Sequence, residues 1–244
     1  VYIPVEKPRR EIISKCFLAN LLANKGFTVA LFDHTYFDRF GWPSKGLYLG
    51  KNFFRTEQPY DLRFYKKMKQ KGIQIWHLDE EGGVYPGNNV HDWENCLKNR
   101  LNPNDLNIKD KILTWGVWQS NYFKKINDNI DIIQTGSPIF DLLQKKYNDV
   151  FYKYDLKVTK NKKNFILINT RFSHANPIRG FRDKFGTNSP ISKNFSLKHL
   201  SQLTKENSIL QHEFIEMIFF LLDKKPNLDI VIRPHPSENI EIYK

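Results

Sequence analysis

The stretch IQIWHLDEEGG, residues Ile73–Gly83, shows the pattern that decides the class of fold. A short apolar strand runs directly into three consecutive carboxylates and then into two glycines. Neighbouring carboxylates repel one another, so a sequence selected for stability alone would rarely place them beside two flexible residues. The stretch is therefore either a solvated turn or a strand end at which acid is needed.

Similar short apolar strands alternate with helices along the chain. After the first strand, Ile13, Cys16, Phe17 and Leu21 recur at helical spacing and Gly26 supplies a C-cap. The other predicted helices are LRFYKKMKQKG and SILQHEFIEMIFFLLDKKP, and the predicted strands are VYIPVE, FTVALFD, IQIWHLDEEGG, KILTWG, IDIIQTG, NFILINT and LDIVIRPHP. Strands that alternate with helices favour an α/β architecture with parallel sheets.

A charged stretch rich in Lys and Tyr, residues 144–164, marks the predicted domain boundary. We predict an N-terminal Rossmann-like domain at residues 1–150 and a second domain at 151–244 that starts afresh with FILINT. Only two strands of the second domain are predicted, so we expect this domain to be incomplete. The polar stretch 179–196 between those strands is predicted to be a loop.

The composition limits the partners. The formal net charge is +12, and such a basic surface suits nucleic acid, an anionic membrane face or phosphate-bearing substrates. The sequence has no arginine-rich arm, zinc finger or RNP-like motif, so nucleic acid is not an expected partner.

Two distant cysteines, Cys16 and Cys96, favour a reducing compartment with both thiols acting as small hydrophobes. The apolar run FIEMIFFLL is too short to cross a bilayer, so we expect a soluble protein or one that rests on a membrane surface.

Polar residues cluster at the predicted carboxyl ends of strands, where open parallel sheets bind their ligands. In the acidic run of Asp79, Glu80 and Glu81, mutual repulsion raises one pKa toward values that suit a general base. Gly82 and Gly83 would let the backbone approach a ligand closely. The alternative is a solvated acidic turn whose glycines adopt positive φ.

The last predicted strand ends in RPHPSE, in which two prolines restrict the backbone around His235. Arg233 and His235 would offer hydrogen-bond donors to a phosphate at the strand end. Glu238 would orient a ribose or the histidine, or would lie at the start of a following helix. The alternative is a strand that ends at proline with an exposed histidine.

Two further strand ends carry weaker signals. Gly136 in TGSP suits a tight turn before a helix, and this structural explanation is at least as good as ligand contact. In NTRFSHAN, Arg171 and Ser173 are candidates for phosphate contacts. No group of Cys and His has metal-ligand spacing, and GxxxxGK[ST] and GxGxxG loops are absent from the sequence, so we predict no metal and no dinucleotide cofactor.

The motifs REIISKCFLANLLANKGF, LDEEGGVY, TGSPIFDLL, ILINTRFSHAN and IRPHPSE, in this order, resemble the bacterial surface carbohydrate biosynthesis proteins. That resemblance spans nearly the whole chain and implies a GT-B type fold of two Rossmann-like domains, the second truncated. Bacterial sialyltransferases and Kdo-type transferases have a similar pair of motifs. There an acidic-Gly motif supplies the base for the acceptor, and a His-Pro motif contacts the phosphate of a CMP-activated sugar. Glu80, Glu81 and Gly82 match the first motif, and His235 with Pro236 matches the second.

The resemblance implies an inverting, metal-independent glycosyltransferase that uses a nucleotide sugar, such as a CMP-linked one, as substrate and needs no cofactor. Its acceptor would be a bacterial surface polysaccharide or lipopolysaccharide, reached in the cytoplasm or at the inner membrane. Glu80 or a neighbour would deprotonate the acceptor, while Arg171 and His235 would stabilise the leaving phosphate. The Ser/Thr phosphate motif of such families does not appear before residue 244. Two alternatives remain: a nucleotide-sugar 2-epimerase, or a non-catalytic assembly protein on anionic lipid.

Overall fold

The structure is a computed structural model that describes residues 1–6, 8–33, 36–51, 59–80, 85, 87–98, 100–149, 164–186 and 196–243. Its chain divides into two compact units, Val1–Phe151 and Tyr152–Lys244. Each unit is described by itself below.

The first unit is built on one sheet in which every described strand pairs in parallel. Six strands lie in the order β2-β1-β3-β4-β5-β6 within the described part of the chain. Their bounds are Tyr2–Val5 (β1), Ala30–Asp33 (β2), Gly46–Gly50 (β3), Ile73–Leu78 (β4), Lys111–Thr114 (β5) and Asp131–Gln134 (β6). The prediction of an α/β fold with a parallel sheet is confirmed.

Helices connect these strands and cover both faces of the sheet. They are α1 (Pro8–Ala23), α2 (Tyr36–Phe40), α3 (Pro59–Gln70), α4 (Val90–Lys98), α5 (Val117–Ile126) and α6 (Pro138–Leu142). Along β4, Ile73 and Ile75 join the larger apolar core beneath α3, α4 and α5, whereas Leu78 joins the smaller core beneath α1. This alternation is the period of two that side chains follow along a strand.

Strand β3 was not predicted, and it determines the topology of the sheet. It lies between β1 and β4, so the chain winds outward in one direction to β2 and in the other to β6. The topological switch point therefore falls between β1 and β3. In doubly wound sheets, ligands bind in the crevice at the carboxyl ends of the strands beside this point.

The helix predicted at α1 is confirmed, but the residues of its predicted apolar stripe are at most half-buried. Cys16 and Leu21 are exposed, and the buried positions include Glu11, Ser14 and Lys15. A helix normally buries its apolar side chains, but here the charged side chains find oppositely charged partners beneath the helix. The prediction that Cys16 acts as a small hydrophobe fails for the same reason.

The described part of the second unit has a parallel pair of strands, β7 (Phe165–Asn169) and β8 (Asp229–Arg233). Helices α7 (Gly180–Phe185) and α8 (Leu197–Lys224) lie between them in sequence, and a 3₁₀ turn follows at Ile240–Tyr243. Helix α8 begins where the Ser196 hydroxyl accepts a hydrogen bond from the His199 amide at 3.2 Å. The predicted loop 179–196 is thus helical at Gly180–Phe185, and residues 187–195 lie outside the described part.

Among the described residues, no helix combines the length and the apolar character that crossing a membrane requires.

Candidate active site

The acidic run follows the carboxyl end of β4, and its first two carboxylates lie on opposite faces of the sheet. Asp79 contacts Arg100 and Gln119 on the side of the larger core, whereas Glu80 contacts Lys15 of α1 on the side of the smaller core. Both residues are buried. Glu81, Gly82 and Gly83, which the sequence also assigns to the site, lie outside the described residues.

Glu80 forms an ion pair with Lys15 of α1. The Lys15 ammonium donates a hydrogen bond to Glu80 Oε2, and the side chains of Lys15 and Glu80 are only 1% and 2% exposed. Burial raises the pKa of Glu80 above its ordinary value, while the charge of Lys15 opposes that shift. The carboxylate is thus enclosed by its partner and by the sheet.

A second buried ion group joins the ends of β1 and β3, the two strands beside the switch point. Lys51 Nζ lies 3.1 Å from Glu11 Oε1 and 3.4 Å from Glu6 Oε2. The Glu6 amide donates to Glu11 Oε2 at 2.9 Å. Burial alone would raise the pKa of Glu11, but this amide and the Lys51 ammonium hold that pKa below its ordinary value.

Asp79 is held by residues from other elements of the first unit. Arg100 donates to its Oδ1 at 3.2 Å, and the Trp115 indole N–H donates to its carbonyl oxygen. Gln119 Nε2 approaches Oδ2 at 3.5 Å. The Trp115 amide donates to Gln119 Oε1 at 2.7 Å, and this contact fixes which end of the Gln119 amide faces Asp79.

An aromatic cavity of about 520 Å³ lies beside Asp79. Trp115 and Gln119, which contact Asp79, also line this cavity. Its remaining walls come from the loop before α4, from α4 itself and from the first turn of α5: Tyr85, Trp93, Gly116, Val117 and Trp118. A cavity of this size accommodates a small organic ligand or a sugar ring.

His77, two residues before Asp79 on the same face, is fully buried. Burial lowers the pKa of its imidazole to about 4, although the neighbouring Asp79 opposes that shift. Between about pH 6.5 and pH 4 the unfolded chain therefore binds a proton that the folded chain does not bind. The folded state loses stability as the pH falls through this range.

We expect the free energy of unfolding of the first unit to fall by up to about 1.4 kcal/mol per pH unit between pH 6.5 and pH 4 because of His77. Chemical unfolding followed by tryptophan fluorescence measures it, because all five tryptophans lie at positions 42–118. The variant His77→Gln should remove that part of the slope, whereas His91→Gln, at an exposed histidine, should not. An unchanged slope in His77→Gln would contradict the assignment.

In the second unit, the predicted phosphate-binding residues lie at one edge of the β7–β8 pair. Asn169 and Arg233 are in register at the carboxyl ends of the two strands, so Arg171 and His235 both follow that edge. The Thr170 amide donates to the Arg233 carbonyl at 3.2 Å. The side chains of Arg171 and Arg233 are exposed, and those of Ser173 and His235 are half-buried.

The His235 ring has a defined tautomer. The Ser237 amide donates to its Nδ1 at 3.2 Å, and the Ser237 hydroxyl lies 2.7 Å from the same nitrogen. Because Nδ1 accepts this amide hydrogen, the proton of the neutral ring is on Nε2. Nε2–H is therefore a hydrogen-bond donor, as a phosphate site requires.

Glu238 is almost fully buried and connects the two loops of this edge. Its carboxylate accepts from the His235 amide at 3.0 Å, the Thr170 hydroxyl at 2.9 and 3.1 Å, and the Tyr243 hydroxyl at 2.7 Å. Three donors enclose both oxygens. These contacts favour a role in positioning the His235 loop over direct contact with a ribose.

Gly136 adopts a φ of 78° in the turn between β6 and α6, a conformation that favours glycine. Its amide donates to the Thr114 carbonyl at 3.1 Å. This contact supports a tight turn, and not ligand contact, as the reason for a glycine at position 136.

Comparison of the chain with protein-family models, curated proteins and solved structures found no match. The resemblance to surface carbohydrate biosynthesis proteins therefore stays a prediction that rests on the motifs.

Sequence reasoning did not find Lys15, Lys51 or the aromatic cavity. The two lysines stand among many others in a basic chain, and only the fold shows that they are buried. The sequence does contain a signal for the cavity in TWGVW, residues 114–118, where two tryptophans flank a Gly-Val pair directly after a strand. The pattern by itself predicts only the end of a strand at this stretch.

Proposed function

We propose that the chain acts as an inverting glycosyltransferase of the GT-B type, in which the first unit serves the acceptor and the second unit serves the donor. The observation that carries the proposal is the buried Asp79 at the carboxyl end of β4, held by Arg100 and adjoining an aromatic cavity. A positioned carboxylate beside a cavity is the arrangement that general-base catalysis uses.

The proposed reaction is a single displacement at the anomeric carbon of a nucleotide sugar. An acceptor hydroxyl attacks that carbon while Asp79 takes the hydroxyl proton. The bond from the anomeric carbon to the phosphate oxygen breaks, and the nucleotide leaves with the bonding electron pair. Attack opposite to the leaving group inverts the configuration of the sugar.

Asp79 is preferred as the base because of its contacts. The Glu80 carboxylate is enclosed with Lys15, and an acceptor hydroxyl would have to displace that ammonium to reach it. Asp79 shares Gln119 and Trp115 with the cavity. Glu81 remains a third candidate, and Gly82 and Gly83 keep their proposed role in close approach of the backbone.

The second unit is proposed to bind the donor phosphate. Nε2–H of His235 and the guanidinium groups of Arg171 and Arg233 would stabilise the charge that grows on the leaving phosphate. Ser173 would supply a further hydrogen bond, and Glu238 would position His235. These groups provide positive charge without a metal ion.

The acceptor class and the cellular location follow from the motif resemblance. We propose a bacterial surface polysaccharide or lipopolysaccharide acceptor, and action in the cytoplasm or at the inner membrane. The net charge of +12 supports contact with anionic lipid headgroups.

Binding of a nucleotide tests the donor side directly. We expect the chain to bind one of CMP, UDP, CDP and GDP in a calorimetric panel, with CMP preferred. His235→Ala should weaken that binding about 10- to 100-fold, because hydrogen bonds to charged groups contribute about 1.5–3 kcal/mol.

His212→Ala is the matched control, because this histidine is also in the second unit but is exposed on α8. It should leave the affinity unchanged. Failure of the chain to bind any of the four nucleotides, or equal affinities of His235→Ala and the wild type, would contradict the donor-site assignment.

A further inference from the structure

We propose that the aromatic cavity beside Asp79 is a saccharide-binding subsite that holds a pyranose ring of the acceptor. This inference rests on the proposed function and names the chemistry of the acceptor side. The cavity has about 520 Å³ and is lined by three indole rings, one phenol ring and one carboxamide.

The aromatic walls suit the apolar face of a sugar. A pyranose ring presents axial C–H groups on one face, and these pack on the electron-rich face of an indole. The rings of Tyr85 and Trp118 have centroids 5.3 Å apart, and those of Trp93 and Trp118 are 6.2 Å apart at an interplanar angle of 86°. The rings that line the cavity therefore lie in more than one orientation.

The polar groups of the cavity suit hydroxyls. Gln119 is buried, and its Nε2 donates to the Tyr85 hydroxyl at 2.5 Å. The Gln119 carboxamide and the Tyr85 hydroxyl thus form a hydrogen-bonded polar pair in the cavity wall. Gln119 connects the cavity to the proposed base, because its Nε2 lies 3.5 Å from Asp79 Oδ2.

A nucleotide fits this cavity less well. None of the described residues that line it is charged, so a phosphate there would lack a cation. Arg100, whose guanidinium lies 5.7 Å from the centre of the Tyr85 ring, is paired with Asp79 Oδ1 at 3.2 Å. A neutral glycan needs no such partner.

Hydrogen bonds and core packing hold three of the rings that line the cavity, and this supports a binding role. Trp115 is fixed through its indole N–H to the Asp79 carbonyl, and the Trp93 indole N–H donates to the Gly87 carbonyl at 3.2 Å. Trp118 packs against the larger core. Rings that are held before a ligand arrives lose little entropy when it binds.

Saturation-transfer-difference NMR on the 244-residue chain tests the proposal, with lactose and N,N′-diacetylchitobiose as neutral probes and CMP and UDP as competitors. We expect transfer from aromatic protons to the C–H protons of at least one saccharide. Trp93→Leu and Trp118→Leu should each weaken that binding about 2- to 10-fold, because an aromatic contact contributes about 0.5–1.5 kcal/mol.

Val117→Asp gives a variant that spares the fold. Val117 is 61% exposed at the first position of α5, where a carboxylate favours the helix. The substitution Val117→Asp also removes an apolar wall of the cavity, so the saccharide signal should fall while the stability of the protein is retained. Phe40→Leu, at an exposed aromatic residue outside the cavity, should leave the signal unchanged.

The outcomes separate this inference from the proposed function. Saccharide binding that is lost in Val117→Asp and retained in Phe40→Leu supports the subsite, even if the chain shows no nucleotide binding. No saccharide signal, or a signal that the cavity variants leave intact, overturns the subsite, and nucleotide binding by the second unit would still support the proposed function. Displacement of the saccharide by CMP or UDP in the His235→Ala variant overturns the saccharide subsite, because it would show that the aromatic cavity binds a nucleotide.

Discussion

Replacing Lys15 by methionine should destabilise the first unit by about 3–5 kcal/mol, because the change leaves the Glu80 carboxylate buried without its counter-ion. Both side chains are almost completely inaccessible to water. In the variant, Glu80 must take up a proton or draw water into the sheet edge, and each response costs free energy. A single domain is stabilised by about 5–15 kcal/mol, so the loss would be a large part of the total.

Urea unfolding followed by tryptophan fluorescence measures this effect in the first unit alone, since every tryptophan of the chain lies there. The matched control is Lys111→Met. Lys111 pairs with Asp131 at the surface, where the two side chains are 26% and 51% exposed. An exposed pair contributes less than about 1 kcal/mol, so this variant should unfold close to the wild type.

A double variant tests whether the pair itself is responsible. Lys15→Met combined with Glu80→Leu removes both charges and leaves apolar side chains of similar length in their place. Buried ion pairs can often be replaced in this way without loss of stability. We expect the double variant to be more stable than Lys15→Met alone, and equal destabilisation in the two would contradict the ion-pair explanation.

The parallel α/β fold could be predicted because most of its strands are short apolar runs that end in polar or small residues. Strand β3 could not be predicted in this way. Its sequence, GLYLG, has three apolar residues between two glycines, and glycine weakens the strand signal. This one missing strand concealed the switch point and the position of Lys51 beside it.

The buried charges of α1 were missed for a different reason. Periodicity assigns apolar residues to the interior of a helix. Burial of a charged side chain becomes acceptable only when a partner of opposite charge comes from a distant part of the chain, and here Lys51 pairs with Glu11 and Glu80 pairs with Lys15. Such pairing is a property of the fold and leaves no local pattern. By contrast, the strand-end position of Asp79 and Glu80 follows from the alternation of strand and loop, and the sequence did predict it.

Replacing Asp79 by asparagine should lower kcat of the proposed transfer by about 10²- to 10⁴-fold, the usual contribution of a general base. Asparagine keeps the size of the side chain, and its oxygen can still accept from Arg100. The acceptor KM should change little, since the cavity walls remain. The measurement is steady-state transfer from the nucleotide sugar that the calorimetric panel identifies, with Asp131→Asn as a control at an exposed carboxylate.

Two comparisons distinguish a base from a residue that only positions others. An acceptor whose attacking hydroxyl is acidified by a neighbouring fluorine depends less on a base, so Asp79→Asn should lose less activity with it than with the natural sugar. Arg100→Lys, which perturbs the position of Asp79, should affect both acceptors equally. Activity of Asp79→Asn within threefold of the wild type would exclude Asp79. A large loss in Glu81→Gln in the same assay would then move the base to Glu81, because Glu80 is held in the ion pair with Lys15 on the other face of the sheet.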